Sequence, residues 1–283
     1  MEKFLAQYMP PDYSAHGHDL DRLNAVVHWL MLILFVVWGA YFLYVLWRFN
    51  AKRHPKASYG GMKSHFSTYL EAGVAVVEVI LLVGFSIPLW SKWTHKPGPE
   101  NNPLEIRVVA EQFAWNIQYP GNDGKFGKTD SKFMSSSNPL GIDPDDPAGK
   151  DDVATLNQLH LEVNRPVIIN LSSKDVIHSF FLPVMRVKQD AIPGQQVAIH
   201  FTPVRTTNND KWEIACAQLC GLGHYRMRGQ FTVHSKADFE KWLGDNAPQT
   251  QSAAPPAPTS NPVPQAAPAT PAEAQPGGGP PHS

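Results

Sequence analysis

Residues 216–227 read CAQLCGLGHYRM, a loop that carries Cys216, Cys220, His224 and Met227 at successive spacings of four, four and three residues. Two thiolates, an imidazole and a thioether are soft or borderline donors. They suit copper, suit zinc in part, and do not suit calcium or magnesium. Gly221 and Gly223 let the backbone fold tightly between the donors. A single-copper electron-transfer site needs one thiolate, two imidazoles and a weak methionine. Here there is a second thiolate, and two cysteines can bridge two copper ions. Each ion then needs an imidazole and a weak ligand, so a second histidine must come from elsewhere. Besides His224, the candidates are His160, His178, His200 and His234, and position favours His178 only mildly. A Cys216–Cys220 disulfide would explain the cysteines but not the histidine and methionine at loop spacing. A structural zinc site would want four good ligands, and methionine is a poor one.

Such a loop needs a frame. From residue 103 onward, Leu104, Ile106 and Val108 alternate with polar neighbours, as in a half-buried strand. Further strand-like runs are Phe113–Tyr119, Leu159–Val163, Val167–Leu171, Gln196–Phe201 and Gly229–Val233, separated by turn signals such as Pro120-Gly121-Asn122 and Ile192-Pro193-Gly194. Many short strands predict a sandwich or small barrel. The stretch from Asn122 to Asn157 is long and polar and reads as a surface insertion. Its aspartates Asp143, Asp145, Asp146, Asp151 and Asp152 lack the spacing and closing glutamate of an EF-hand, so a solvated acidic loop is expected, able to dock a basic partner.

The N-terminal part is oily. Ala25–Trp47 is a charge-free run of 23 residues, long enough to span a bilayer core that needs about 20 helical residues. Tyr69–Trp90 is a second such run, carrying Glu71 and Glu78, and Trp29, Trp47, Tyr69 and Trp90 sit near the ends as interfacial aromatics do. The first run begins too late and runs too long for a signal peptide. The connector holds Arg48, Lys52, Arg53, Lys56 and Lys63 and no acid, so the positive-inside rule places it in the cytoplasm and both chain ends outside. Glu71 and Glu78 share one helix face. A carboxylate at mid-membrane costs about 2.5–3.5 kcal/mol, so such groups face protein or water. They either contact a partner helix or line a proton or ion path.

The 24 basic and 25 acidic residues leave a net charge of −1, which excludes a polybasic nucleic-acid binder. Eleven of the 26 prolines lie after residue 247, in an Ala/Pro/Gln/Gly tail that cannot bury a core and is expected to be disordered. The chain thus divides into an outer segment (1–24), a transmembrane helix (25–49), a cytoplasmic connector (50–68), a second helix (69–93), a periplasmic domain (94–246, insertion about 122–157) and the tail (247–283).

The segments DVIHSFFLP, KQDAIPG and CAQLCGLGHYRM, with YLE at the second span and EQFAWNIQYPG after it, resemble the subunit II family of haem–copper cytochrome c oxidases. The likeness covers roughly residues 15 to 245. It implies a cupredoxin-like β-barrel bearing a dinuclear copper centre, CuA. The implied ligands are His178, Cys216, Cys220, His224, Met227 and the backbone carbonyl of Gln218. Cys216 and Cys220 would bridge, His178 and Met227 would complete one copper, and His224 and the Gln218 carbonyl the other. The family often has glutamate where Gln218 stands, helping a magnesium site at the subunit I boundary. An uncharged amide puts that magnesium in doubt. The tryptophan through which electrons enter in the family falls at Phe113, and Trp115 matches the next aromatic, so Phe113, Trp115 or a different route would serve. Glu71 matches a position at the mouth of a proton channel, and Glu78 is a second proton-path candidate.

The implied partners are subunits I and III and a c-type cytochrome donor, whether soluble, anchored or part of a larger complex. The implied location is a bacterial cytoplasmic (inner) membrane with the copper domain outside. Three rivals differ in class. A copperless quinol oxidase subunit would lack the cysteines. A copper subunit of a nitric oxide or nitrous oxide reductase would share the loop. A membrane-anchored copper carrier or sensor would travel without haem.

Overall fold

The computed structural model describes residues 4, 6–57, 59–60, 64–121, 123–208 and 210–247. Lys63, Asn122, Asn209 and the tail beyond Ala247 lie outside these, and so does the expectation of disorder there.

Two long helices come first, α1 (Gly17–Arg48) and α2 (Phe66–Thr94). Each holds an 18-residue window of mean hydropathy 2.3, and neither window is buried within the chain. Both outrun their apolar stretches, for a hydropathy reading finds the oily part of a helix and not its aqueous extension. The α1 extension carries Asp19 in its first turn, where a negative charge favours the helix N-terminus. Within α2 a π-turn spans Leu82–Ser86, just before Pro88. Proline has no N–H to return to the preceding turn, and a widened turn accommodates the defect. Ser86 Oγ in this turn donates to the Leu81 carbonyl (3.3 Å).

Ten strands follow: β1 (Leu104–Glu111), β2 (Ala114–Tyr119), β3 (Val153–Leu156), β4 (Gln158–Glu162), β5 (Val167–Ser173), β6 (His178–Leu182), β7 (Val187–Ala191), β8 (Val197–Phe201), β9 (Trp212–Cys216) and β10 (Arg228–His234). They form two five-stranded sheets, ordered β3-β2-β1-β5-β8 and β4-β10-β9-β6-β7. The pairs β1–β5 and β4–β10 are parallel and the rest antiparallel. Both sheets feed one core, with Ile106, Val108, Ile117, Ile169 and Leu171 from the first and Leu161, Phe180, Ile214 and Phe231 from the second. This is the all-β sandwich that the run of short strands predicts and the cupredoxin-like domain that the family resemblance implies, and the two apolar helices stand before it.

The insertion corrects one expectation. It is not wholly a solvated loop, for Leu140 and Asp152 are buried and β3 extends the first sheet along β2. Asp152 Oδ2 accepts hydrogen bonds from Gln118 Nε2 (2.5 Å) and Gly127 N (2.8 Å). Because the insertion covers it, β2 is buried on both faces, although its sequence alternates apolar Trp115, Ile117 and Tyr119 with polar Asn116 and Gln118.

The segment before α1 is strapped to the β-domain. Tyr13 stacks on Trp212 (4.8 Å), its hydroxyl accepts from Arg205 Nη1 (2.7 Å), and its backbone bonds to Val184 and Val204. Arg186 grips Asp21 through both carboxylate oxygens (2.9 and 3.0 Å). The start of α1 thus lies against the β-domain.

At the other edge helix α3 (Lys236–Asn246), capped by Ser235, lays Trp242 flat on His160 (4.0 Å), and His160 Nδ1 lies 2.8 Å from His234 Nε2. His160 and His200, two of the candidate imidazoles, are half-buried. Burial, and then the neighbouring His234, lower the His160 pKa from 6.5 to about 4. Burial likewise lowers His234. A group held neutral in the fold but free to protonate when unfolded supports the fold fully above pH 6.5, and that support drains as the pH falls toward about 4. Thermal melts of the purified protein should therefore rise in midpoint from pH 4 toward 6.5, and His160→Gln should flatten the rise. A wild-type midpoint that does not change over that window would contradict the assignment.

Candidate metal centre

The ligand-bearing segments meet at one end of the sandwich. β5 ends at Ser173, and the chain turns through Lys174-Asp175-Val176-Ile177 into β6, whose first residue is His178. Ser173 Oγ donates to the Val176 carbonyl (2.6 Å), and Val176 N–H donates to Asp175 Oδ1 (2.7 Å), which fixes that turn. β9 ends on Cys216 and β10 begins just after Met227, so the whole loop spans neighbouring strands. Cys216 N–H bonds to the Met227 carbonyl (3.3 Å) and Ala217 N–H to the Ser179 carbonyl (3.0 Å), which ties the loop to both strand ends.

Here the donors converge. Cys220 Sγ lies 3.8 Å from Cys216 Sγ, 3.7 Å from Met227 Sδ and 3.7 Å from His224 Nδ1. His178 Nδ1 is 3.1 Å from Met227 Sδ, and Cys216 Sγ is 3.2 Å from the Gln218 carbonyl. His178, Cys216 and Cys220 offer donor atoms within 4.8 Å of one another. A disulfide needs about 2.05 Å between sulfurs, so these cysteines are free. Thiolates bind an ion at about 2.3 Å, which puts a pair of sulfurs 3.8 Å apart within reach of a shared metal.

The protonation pattern favours a cation. His178 Nε2 pairs with Asp175 Oδ1 (2.9 Å), which leaves the Nδ1 lone pair facing the sulfurs. Burial works against charge on both His178 and Cys216. Their mutual hydrogen bond and, for His178, Asp175 outweigh it, so the imidazole is raised and the thiol lowered. Burial and the charge on Cys216 push the Cys220 thiol the other way. Two thiols, two imidazoles, a thioether and a carbonyl, packed at this spacing, fit a soft metal.

All six residues expected from sequence are therefore brought to one place. His160, His200 and His234 are not, for His160 and His234 bond to each other beneath Trp242. Phe113 is 36% exposed and sits against the loop, where a side chain at Gly223 would come within 2.4 Å of its ring. Trp115 is fully buried, its ring 6.1 Å from that of His178, so it cannot be a point of first contact. Glu71 and Glu78 are exposed along α2.

Two residues escaped the sequence reading. Asp175 orients His178, and Gln112 joins the two ligand loops. Gln112 N–H donates to Asp175 Oδ2 (2.6 Å) and its side-chain Nε2 donates to the Cys220 carbonyl (2.6 Å). Their signals were proximity alone: Asp175 stands three residues before His178, and Gln112 precedes Phe113. Partners of this kind are worth roughly 10–100-fold in metal affinity. Gln112→Ala should thus weaken copper binding by about 10-fold in a chelator competition while leaving the melting midpoint in place. Undiminished affinity would remove Gln112 from the site.

Comparison with known proteins points one way. Residues 104–232 match the family model described as cytochrome C oxidase subunit II, periplasmic domain. The chain is 32% identical over 241 residues to an alternative cytochrome c oxidase subunit 2 of Bradyrhizobium diazoefficiens, covering 85% of this chain and 84% of that protein. It is 30% identical over 234 residues to a probable cytochrome c oxidase subunit 2 of Rickettsia bellii, covering 82% and 81%. Identity to the cytochrome c oxidase subunit 2 of Thermostichus vulcanus is higher, 43% over 143 residues, but covers 50% of this chain and 33% of that protein. Among solved structures, the periplasmic domain of subunit II of cytochrome oxidase of Bradyrhizobium japonicum aligns with TM-score 0.37 and 27% identity, over 50% of this chain and 92% of that one.

Proposed function

The chain belongs to the cytochrome c oxidase subunit II family, and from that premise we propose that it is the electron-receiving subunit of a proton-pumping haem–copper oxidase. In this reading it accepts electrons from a c-type cytochrome and delivers them to haem in subunit I, where oxygen is reduced to water. The observation that carries the reading is the cluster of Cys216, Cys220, His178, His224, Met227 and the Gln218 carbonyl at one strand end.

Those six residues would hold a dinuclear copper centre, Cys216 and Cys220 to both ions, His178 and Met227 to one, His224 and the Gln218 carbonyl to the other. Such a centre supplies a one-electron couple whose charge is shared between two ions. The chain's own part is to hold the donors still. Asp175 fixes the His178 ring, Gln112 fixes the Cys220 carbonyl, and the buried Met227, His178 and Cys220 keep water out. Phe113, seated on the loop, is the place for electrons to enter, with Trp115 behind it. Gln218 presents a neutral amide to subunit I, so magnesium there is held more weakly than by a carboxylate. Glu71 stands at the mouth of a proton path in subunit I, and Glu78 one face-repeat along.

The deciding experiment is purification from native membranes with a metal and haem inventory, expected to give two copper ions per chain and co-isolated haem. One copper per chain, or a chain that travels without haem, would defeat the reading. Cys216→Ser or Cys220→Ser should abolish the two-copper spectrum, since a hydroxyl is a poor soft-metal ligand. Met227→Leu should keep copper and shift its potential, and complete loss of metal would show the thioether to be more than a weak ligand.

A further inference from the structure

Between the outer ends of α1 and α2 lies a groove of about 390 Å³, within the size range of ligand pockets. Its floor is apolar, with Val26 from α1 and Phe85 and Pro88 from α2. The π-turn supplies Gly84, where a first side-chain carbon would meet no atom within 4 Å, so the groove is open at that point. Its rim is charged. Lys92 pairs with Asp19 (2.7 Å), which ties the two helices at the mouth. Arg22, exposed on the same rim, makes no ion pair or hydrogen bond among the described residues. Two cations against one anion leave a net positive rim above an oily floor.

We propose that this groove binds an anionic phospholipid from the outer leaflet, its phosphate on Arg22 and Lys92 and an acyl chain along Val26, Phe85 and Pro88. The depth agrees. Arg22 lies in the second turn of α1 and Lys92 in the last turn of α2, where headgroups meet the ends of membrane helices, while the floor lies one to two turns further in. An uncharged lipid would leave unanswered the net positive charge of a rim on which Arg22 and Lys92 share Asp19. The site is separate from the copper loop and does not depend on what that loop binds.

The test uses the intact oxidase complex carrying this chain, reconstituted in discs of equal parts phosphatidylglycerol and phosphatidylcholine and then delipidated in stages. Native mass spectrometry counts the lipids that remain. Wild type should hold one more phosphatidylglycerol than Gly84→Phe, whose ring fills the groove. Arg22→Gln, an exposed change with no packing role, should lower the preference for phosphatidylglycerol over phosphatidylcholine about five-fold, the equivalent of ~1 kcal/mol per basic residue at a membrane surface. Identical lipid counts in wild type and both variants would overturn the proposal. So would a crosslink from Val26→Cys that captures a neighbouring subunit instead of lipid, or displacement of the lipid by inorganic phosphate alone, which would mean that the acyl chain contributes nothing.

Discussion

The arrangement rests on one constraint: donors from two separate loops must stay within a few ångströms of each other although their like charges and lone pairs repel. Backbone hydrogen bonds at the strand ends bring the loops together, since Cys216 bonds to Met227 and Ala217 to Ser179. A short polar chain then locks them, from His178 to Asp175 to Gln112 to Cys220. The lock lies outside the donor set, so the donors remain free to face inward. Preorganisation of this kind lets a site change oxidation state with little rearrangement, because the positions are set by the fold and not by the ion.

The rest of the β-domain serves that end of the sandwich. The core from both sheets makes the strand ends rigid, and the buried β2, roofed by the insertion, braces the turn that carries Gln112 and Phe113. Gly223 matters because any side chain there would collide with the Phe113 ring, so the aromatic can rest directly on the cysteine loop. The same contact places an exposed apolar edge beside the donors, while Trp115 stays in the interior near His178.

Much of this was legible in the chain itself. The spacing of Cys216, Cys220, His224 and Met227 pointed to a soft-metal donor set, and the structure brings those four side chains together. The alternation of Leu104, Ile106 and Val108 named the strand, and the apolar runs named the helices. What stayed hidden depends on contacts distant in sequence. His178 could be preferred over His160 or His200 only weakly until the pairing of β6 with β9 brought it to the cysteine loop and His160 was found bonded to His234. Asp152 looked like one more solvated aspartate until Gln118 and Gly127 were seen to hold it. Gln112 carries no charge and no motif of its own, and its role exists only once residues 108 positions apart are adjacent.

The strap before α1 has a geometric consequence. A globular head joined to a bilayer through one linker can tilt and bob. This head is fastened twice, by the chain leaving α2 and by Tyr13 and Asp21 clasped to Trp212, Arg205 and Arg186. Two tethers on a rigid body remove the swing, which holds the donor cluster at a constant altitude over the lipid.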